Sequence, residues 1–247
     1  MRGVDVELVV PPSRVVSLVP SLTETLFDLG AGEALVGVTD YCIFPATIAA
    51  ARIGGTKNPD INAIRALRPD LVYVNVEENL RRHADEIETF APIFATEPRS
   101  VADVDALFFT LGEIHHVPDA ALLLQTALKR AAAGFSGRQP FTFVCPIWKD
   151  PWMWCGGDTY VSSLIASAGG VNLLGDESRY PKRELSDVLG LSPDVIFLPD
   201  EPYLFTQAEA TVLRELSNGR VVGPFPGHLL TWHGSRTIAG LEFLARA

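Results

Sequence analysis

The chain has 247 residues, 47% of them hydrophobic, and 20 Lys and Arg against 30 Asp and Glu give it a formal net charge of −10. That is enough apolar sequence for a sizeable core, in one large domain or two small ones, and it excludes a disordered or fibrous protein. The sequence has none of the clustered cations that nucleic-acid binding needs, and no apolar run approaches the roughly 18 residues of a membrane-spanning helix.

The first residues carry Asp5 and Glu7 where an export signal needs an unbroken apolar stretch. A cytoplasmic location is therefore expected for the chain as it stands, and a periplasmic or cell-surface one if a signal has been removed. Arg14 to Val19 is β-rich and predicts a first strand. Pro20-Ser21-Leu22-Thr23-Glu24 then opens a helix that stops at Gly30 and Gly32. Ser21 and Glu24 have the S-x-x-E spacing of a capping box. The loop at the carboxyl end of a strand is also where open α/β sheets hold ligands, so Ser21 has two readings, cap and ligand contact.

Leu35 to Val38 predicts a second strand, and the loop that follows holds Tyr41 and Phe44 in positions to be presented. Ile61, Ile64 and Leu67 form a helical stripe ending at Arg68-Pro69, before an apolar strand from Leu71 to Val74. The run Glu77-Glu78-Asn79 follows at the carboxyl edge of that strand, after Val76. Hydrogen bonding to a ligand and capping of a helix that begins near Asn79 are equal readings there. His83 and the pair His115-His116 are expected on the solvated surface.

Residues 101–116 and 118–133 have helical spacing and are separated by Pro118, which suits the start of the second helix. Ala120 to Ala133 lacks Gly and Pro and predicts a stiff helix of about four turns, closed by Gly134 and Gly137. Beyond it, Phe141 to Cys145 reads as a strand and Thr159 to Ala168 as a helix ending at Gly169-Gly170. Leu185, Val188 and Leu189, then Ser192-Pro193-Asp194 and the strand Val195 to Leu198, repeat the helix, Pro-Asp and strand unit 124 residues further on. This alternation predicts an α/β protein of two Rossmann-like lobes with parallel sheets and a long backbone helix joining them, with one continuous doubly wound sheet as the alternative. The expected divisions are 1–116, 117–136 and 137–247.

Three of the four tryptophans, Trp148, Trp152 and Trp154, stand within seven residues beside Pro151 and Gly156-Gly157. They read either as a core plug or as a wall for a large flat ligand on a surface loop. The fourth, Trp232, lies between His228 and His233, five apart with no carboxylate or cysteine beside them. Hydrogen bonding or loop structure outweighs metal coordination there, and no metal site is expected. Cys42, Cys145 and Cys155 are an odd set without a C-x-x-C pair, which suits a reducing compartment and leaves a Cys145–Cys155 bridge open. No catalytic signature is present, Glu24 and Asp158 have capping roles, and the expectation is a binding protein rather than an enzyme.

Together, Arg14-Val15-Val16-Ser17-Leu18 with Pro20 and Thr23-Glu24, Val36-Gly37-Val38 with Tyr41 and Pro45, and Ala66 to Val72 form one ordered series. Gly156-Gly157-Asp158-Thr159, Ala168 to Asn172 and Leu191 to Asp194 continue it. In order and spacing this series resembles the helical-backbone metal receptors, the class III substrate-binding proteins that include vitamin B12 and ferric-siderophore receptors. The resemblance implies a ligand held between two lobes that move little. It also implies that Tyr41, Tyr180 and the segment Trp152 to Trp154 stand where aromatic residues surround a corrin, while two further such positions hold Thr56 and Asn75. The acidic residues that exported members offer to an ABC permease fall here on Asn62 and Ser186, with Glu184 nearby.

The expected ligand is cobalamin or a related corrinoid, then a ferric siderophore or heme, with no covalent cofactor and a monomeric protein. Its contacts are Ser21, Tyr41, Phe44, Asn75, Trp148, Trp152, Trp154, Tyr180, His228, Trp232 and His233. The alternatives are an intracellular carrier or sensor that docks no permease, an enzyme acting on a tetrapyrrole or metal chelate in the same cleft, and capture of a bare metal ion.

Overall fold

The computed structural model describes residues 10–247, so the reading of Asp5 and Glu7 lies outside the described residues. The chain divides into two compact units. The first holds the described residues up to Pro98 together with Asp105–Thr126, and the second holds Arg99–Val104 and Ala127–Ala247.

In chain order the first unit contains β1 (Val15–Ser17), α1 (Pro20–Asp28), β2 (Leu35–Val38), β3 (Ala51–Arg52), α2 (Ile61–Ala66), β4 (Leu71–Asn75), α3 (Arg81–Ile87) and β5 (Ile93–Thr96). The long helices α4 (Val101–Ile114) and α5 (Pro118–Ala133) follow, and the division between units passes through both. The strands form one parallel sheet in the order β3-β2-β1-β4-β5. Its central strands β1 and β4 are buried at every position because both faces are covered, and they are apolar except at their last residues, Ser17 and Asn75. Val15, Leu71 and Tyr73 join a layer with Leu22, Leu26, Leu107 and Leu111. Val16, Val72 and Val74 face the opposite way, toward Ile64 and Ile87.

The second unit contains β6 (Phe141–Val144), β7 (Pro146–Trp148), β8 (Met153–Trp154), α6 (Tyr160–Ser167), β9 (Gly170–Asn172), α7 (Leu185–Leu189) and β10 (Val195–Pro199). It ends with α8 (Gln207–Leu216), β11 (Arg220–Phe225), α9 (His228–Thr231) and α10 (Arg236–Arg246). Its main sheet is parallel in the order β11-β10-β6-β9, and β7 and β8 make a separate antiparallel ribbon. The predicted repeat is present in full. After both α2 and α7 the chain turns through a residue with left-handed backbone, Arg68 at φ 48° and Ser192 at φ 57°, before the Pro-Asp that enters β4 and β10.

Several local expectations change. The helix α1 begins at Pro20, with Val19 as N-cap and no side-chain cap. Proline's fixed φ suits the first helical position, so Ser21 lies inside the helix and the predicted capping box does not form there. Thr159 rather than Asp158 caps α6, accepting from Ser162 N. The helix expected near Asn79 begins at Arg81. His115 is buried rather than solvated, because the last turn of α4 brings its Nε2 within 2.8 Å of the Tyr73 hydroxyl.

Candidate ligand-binding site

In parallel sheets the loops at the carboxyl edge are free to differ, and the point where strand order reverses opens a crevice there. In the first unit that point lies between β1 and β4. Asn79 closes it from beneath. Its Nδ2 donates to Leu18 O at 3.1 Å and to Thr56 O at 3.0 Å, and its Oδ1 accepts Asn75 N at 2.7 Å. Asn75 is buried, and its Oδ1 accepts the backbone N–H of Glu77 at 2.8 Å and of Glu78 at 3.2 Å. Asn75 therefore shapes the loop instead of facing outward. Ser21 is likewise buried in α1.

Tyr41 is the residue this edge presents, with 61% of its surface exposed. Its loop is pinned from inside. The Cys42 thiol lies 3.1 Å from Thr23 Oγ1 and 3.2 Å from Thr39 Oγ1, and Arg52 Nη1 donates to the carbonyls of Thr39 and Cys42, both at 2.8 Å. Burial raises the Cys42 thiol above its ordinary pKa despite these bonds. A Cβ on Gly55 would come within 3.3 Å of Tyr41 Cε2, so the ring lies against a glycine backbone. Phe44, in the same loop, is half-buried.

In the second unit the aromatic residues form a ladder. Trp148 meets Tyr203 edge-on at 5.5 Å, Tyr203 lies 4.7 Å from Phe205, and Phe205 stacks on Trp152 at 5.9 Å. Trp152 in turn stacks on Trp154 at 5.5 Å. Trp154 is fully buried and its Nε1 donates to Arg183 O at 3.0 Å, so the structure places it behind the surface as the base of the stack. Trp152 is sandwiched between two rings and has an edge, not a face, for any ligand. Trp148, 42% exposed, is the most accessible tryptophan of the ladder. The segment pairs with residues 181–183, through Trp154 N to Pro181 O at 3.1 Å and Arg183 N to Trp152 O at 3.3 Å. That pairing holds half-exposed Tyr180 beside it, under the Arg179 guanidinium.

His228 and Trp232, both half-exposed, face each other at 5.6 Å across α9. Burial and then the charge of Arg236 lower the His228 pKa. Asp200 Oδ1 accepts Gly227 N at 2.7 Å and Glu201 Oε1 accepts Thr231 Oγ1 at 2.8 Å, which ties α9 to the end of β10. Burial pushes the Glu201 carboxyl up. His233 is buried against the edge of Tyr160, and burial lowers it to about 4, so it belongs to the interior. Among the described residues no group of three or more His, Cys, Asp or Glu side chains is placed to hold a metal ion.

Of the sequence candidates, Tyr41, Trp148, Trp152, Tyr180, His228 and Trp232 thus keep accessible surface at carboxyl edges, with Phe44 beside Tyr41. Ser21, Asn75, Trp154 and His233 lie beneath them. Tyr203 and Phe205 were missed. Their signal was the same as for Tyr41 and Phe44, aromatic residues in the loop that follows a buried strand.

The family described as periplasmic binding protein matches residues 15–211 of the chain. An uncharacterized ABC transporter substrate-binding lipoprotein of Bacillus subtilis strain 168 is 25% identical, across 98% of this chain and 82% of that protein. A vitamin B12-binding protein of Vibrio cholerae serotype O1 is 24% identical over 76% of this chain and 70% of its own length. Among solved structures, the periplasmic vitamin B12 binding protein of Vibrio cholerae superposes with a TM-score of 0.80 at 21% identity, covering 96% of this chain and 97% of that one. The apo periplasmic heme-binding protein of Roseiflexus sp. RS-1 gives 0.78 at 22%, covering 95% and 97%. At these identities the structures establish a shared fold.

Proposed function

The chain belongs to the periplasmic binding protein family, and we propose that it captures a bulky metal chelate, cobalamin or a related corrinoid first, and releases it unchanged to an ABC permease. The observation that carries this reading is the set of accessible aromatic side chains at the carboxyl edges of both sheets, Tyr41 in the first unit and Trp148, Trp152, Tyr180 and Trp232 in the second. Large flat ligands are gripped by shape and dispersion, which rigid aromatic side chains supply at low entropic cost. Tyr41 is fixed by Cys42 and Arg52, Trp148 and Trp152 by the ladder, Tyr180 by the paired segment 181–183, and Trp232 by its contact with His228.

The vitamin B12-binding relatives favour a corrinoid, and the heme-binding structures of the same fold make heme the second ligand to test. The relatives described as periplasmic or as a lipoprotein favour work outside the cytoplasmic membrane over the cytoplasmic expectation. No helix among the described residues is long and apolar enough to cross a membrane. Permease docking would use the exposed short helices α2 and α7, which carry Asn62 and Ser186, with the exposed carboxylate of Glu184 at the start of α7.

Titration of intrinsic tryptophan fluorescence with cyanocobalamin, heme and a ferric siderophore tests the proposal, after correction for ligand absorbance. Saturable quenching by cyanocobalamin is expected, weakened in Tyr41→Ala and in Trp152→Ala alike. Absence of saturable quenching by all of the ligands would reject the metal-chelate reading. Full affinity in both variants would reject the aromatic residues as the ligand's contacts.

A further inference from the structure

Cys145 and Cys155 face each other at the root of the β7–β8 ribbon. Pro146 is paired with Trp154, so the next opposed pair is Cys145 with Cys155, and Cys155 N donates to Cys145 O at 2.9 Å. Hydrogen-bonded antiparallel pairs have Cα atoms about 5.5 Å apart, inside the window of roughly 4.4 to 6.8 Å that a disulfide spans. Both side chains are buried. The two thiols also share a hydrogen bond, which together with burial raises the Cys145 thiol well above its ordinary pKa. Cys42 is held elsewhere, between Thr23 and Thr39 in the first unit.

We propose that Cys145 and Cys155 are a disulfide-forming pair whose bridge closes residues 145–155 into a loop and staples the base of the tryptophan ladder, while Cys42 stays a thiol. Trp148, Trp152 and Trp154 all lie on the closed segment. The oxidant is a disulfide of the glutathione type. One protein thiolate attacks it and releases one thiol, and the other protein thiolate then displaces the second. In balance, two protein thiols and one R–S–S–R give the Cys145–Cys155 bridge and two R–SH. Because the folded pair is buried, the exchange takes place during folding or when the ribbon opens, and the finished bridge is shielded from reductant.

The test refolds the reduced full chain in a buffer of reduced and oxidised glutathione, denatures it without reductant, alkylates it and reads intact mass and linked peptides. Expected is a chain two hydrogens lighter than the reduced form, with a single alkyl group on Cys42 and a cross-linked peptide pair joining Cys145 to Cys155. Three alkyl groups, a bridge to Cys42, or lasting glutathione adducts at Cys145 and Cys155 would overturn the proposal. Native chain equilibrated in the same buffer provides the same readout without refolding. The result does not depend on ligand binding, so it stands or falls apart from the functional reading.

Discussion

Asp194 repeats in the second unit the bond that Asp70 makes in the first. Asp70 Oδ2 accepts Ser13 N at 2.8 Å and Ser13 Oγ at 3.0 Å, and its Oδ1 accepts Arg14 N at 3.0 Å, where the chain enters β1. Asp194 Oδ2 accepts Thr142 N at 2.7 Å and Thr142 Oγ1 at 2.8 Å, at the start of β6. In each unit the carboxylate sets the register of two central strands at their amino ends. Asp70→Ala should cost about 1 kcal/mol by stranding these donors, and Asp194→Ala should lower Tm in the same direction. The bonds from Thr142 also hold the Asp194 carboxyl below its ordinary pKa. Its contribution is thus present in full above the unfolded carboxylate range and is lost as pH falls below that range through the lowered folded value. Thermal unfolding of both variants at neutral pH checks the shared role; an unchanged Tm in either would refute it.

The Pro-Asp repeat shows how much was legible in the sequence. A buried parallel strand reads as a nearly unbroken apolar run and its edges are marked by turn residues, so β1, β2, β4 and β10, the long helices and the two-sheet organisation follow from residue pattern alone. The neighbours a side chain meets do not. Trp152 and Trp154 are two apart, the spacing that puts both side chains on one face of an extended chain, and their rings do stack; that Phe205 and Arg183 would arrive from distant sequence to cover one and bury the other was not legible. Asn75 was read as a ligand contact from its place in the family resemblance, and His233 from its place beside Trp232. Their partners, Glu77 N and the Tyr160 ring, show that loop shape and burial claim them first. The capping box at Ser21 failed for a local reason, since Pro20 began the helix one residue earlier.

Trp154 and Trp152 should separate stability from binding. Trp154→Ala removes the base of the stack and leaves Arg183 O without its indole donor, so a loss of about 3 to 5 kcal/mol is expected. Trp152→Ala should cost less stability and reduce affinity for the chelate at least about tenfold, or roughly 1.4 kcal/mol. Denaturant unfolding beside ligand titration of each variant reads both quantities. A Trp154→Ala protein of unchanged stability would show that the stack does not support the fold.

Gly157 is present for close approach. Gly156 N donates to Arg179 O and Gly157 N to Glu177 O, each at 2.8 Å, and a Cβ on Gly157 would collide with the backbone carbonyl of Gly175. Backbone would have to move, together with the segment that carries Tyr180. Gly157→Ala should therefore destabilise by more than about 2 kcal/mol, in the range of overpacked sites. Gly134→Ala, whose nearest contact would be 3.3 Å away at Ala131 O, serves as the control and should be close to neutral. Equal unfolding midpoints for the two variants would contradict the packing argument.

Acid should weaken the two units through one buried histidine each. Burial lowers His115 to about 4, and His233 to about 4, from an ordinary value near 6.5. Between those values the unfolded chain binds a proton at each position and the folded chain does not, so unfolding takes up protons and stability falls as pH drops from about 6.5 toward 4. Each histidine can contribute on the order of 3 kcal/mol across that window, since one pKa unit is worth about 1.4 kcal/mol. The neutral ring of His115 is held by the Tyr73 hydroxyl at 2.8 Å, and His115→Gln keeps a hydrogen-bonding side chain there without the titration. Urea midpoints of the wild type should decline between pH 7 and pH 5, and those of His115→Gln should decline less steeply. The carboxylates common to both proteins cancel in that difference. Parallel pH profiles would mean that His115 protonates in the folded state as readily as in the unfolded chain, which its burial against Tyr73 opposes.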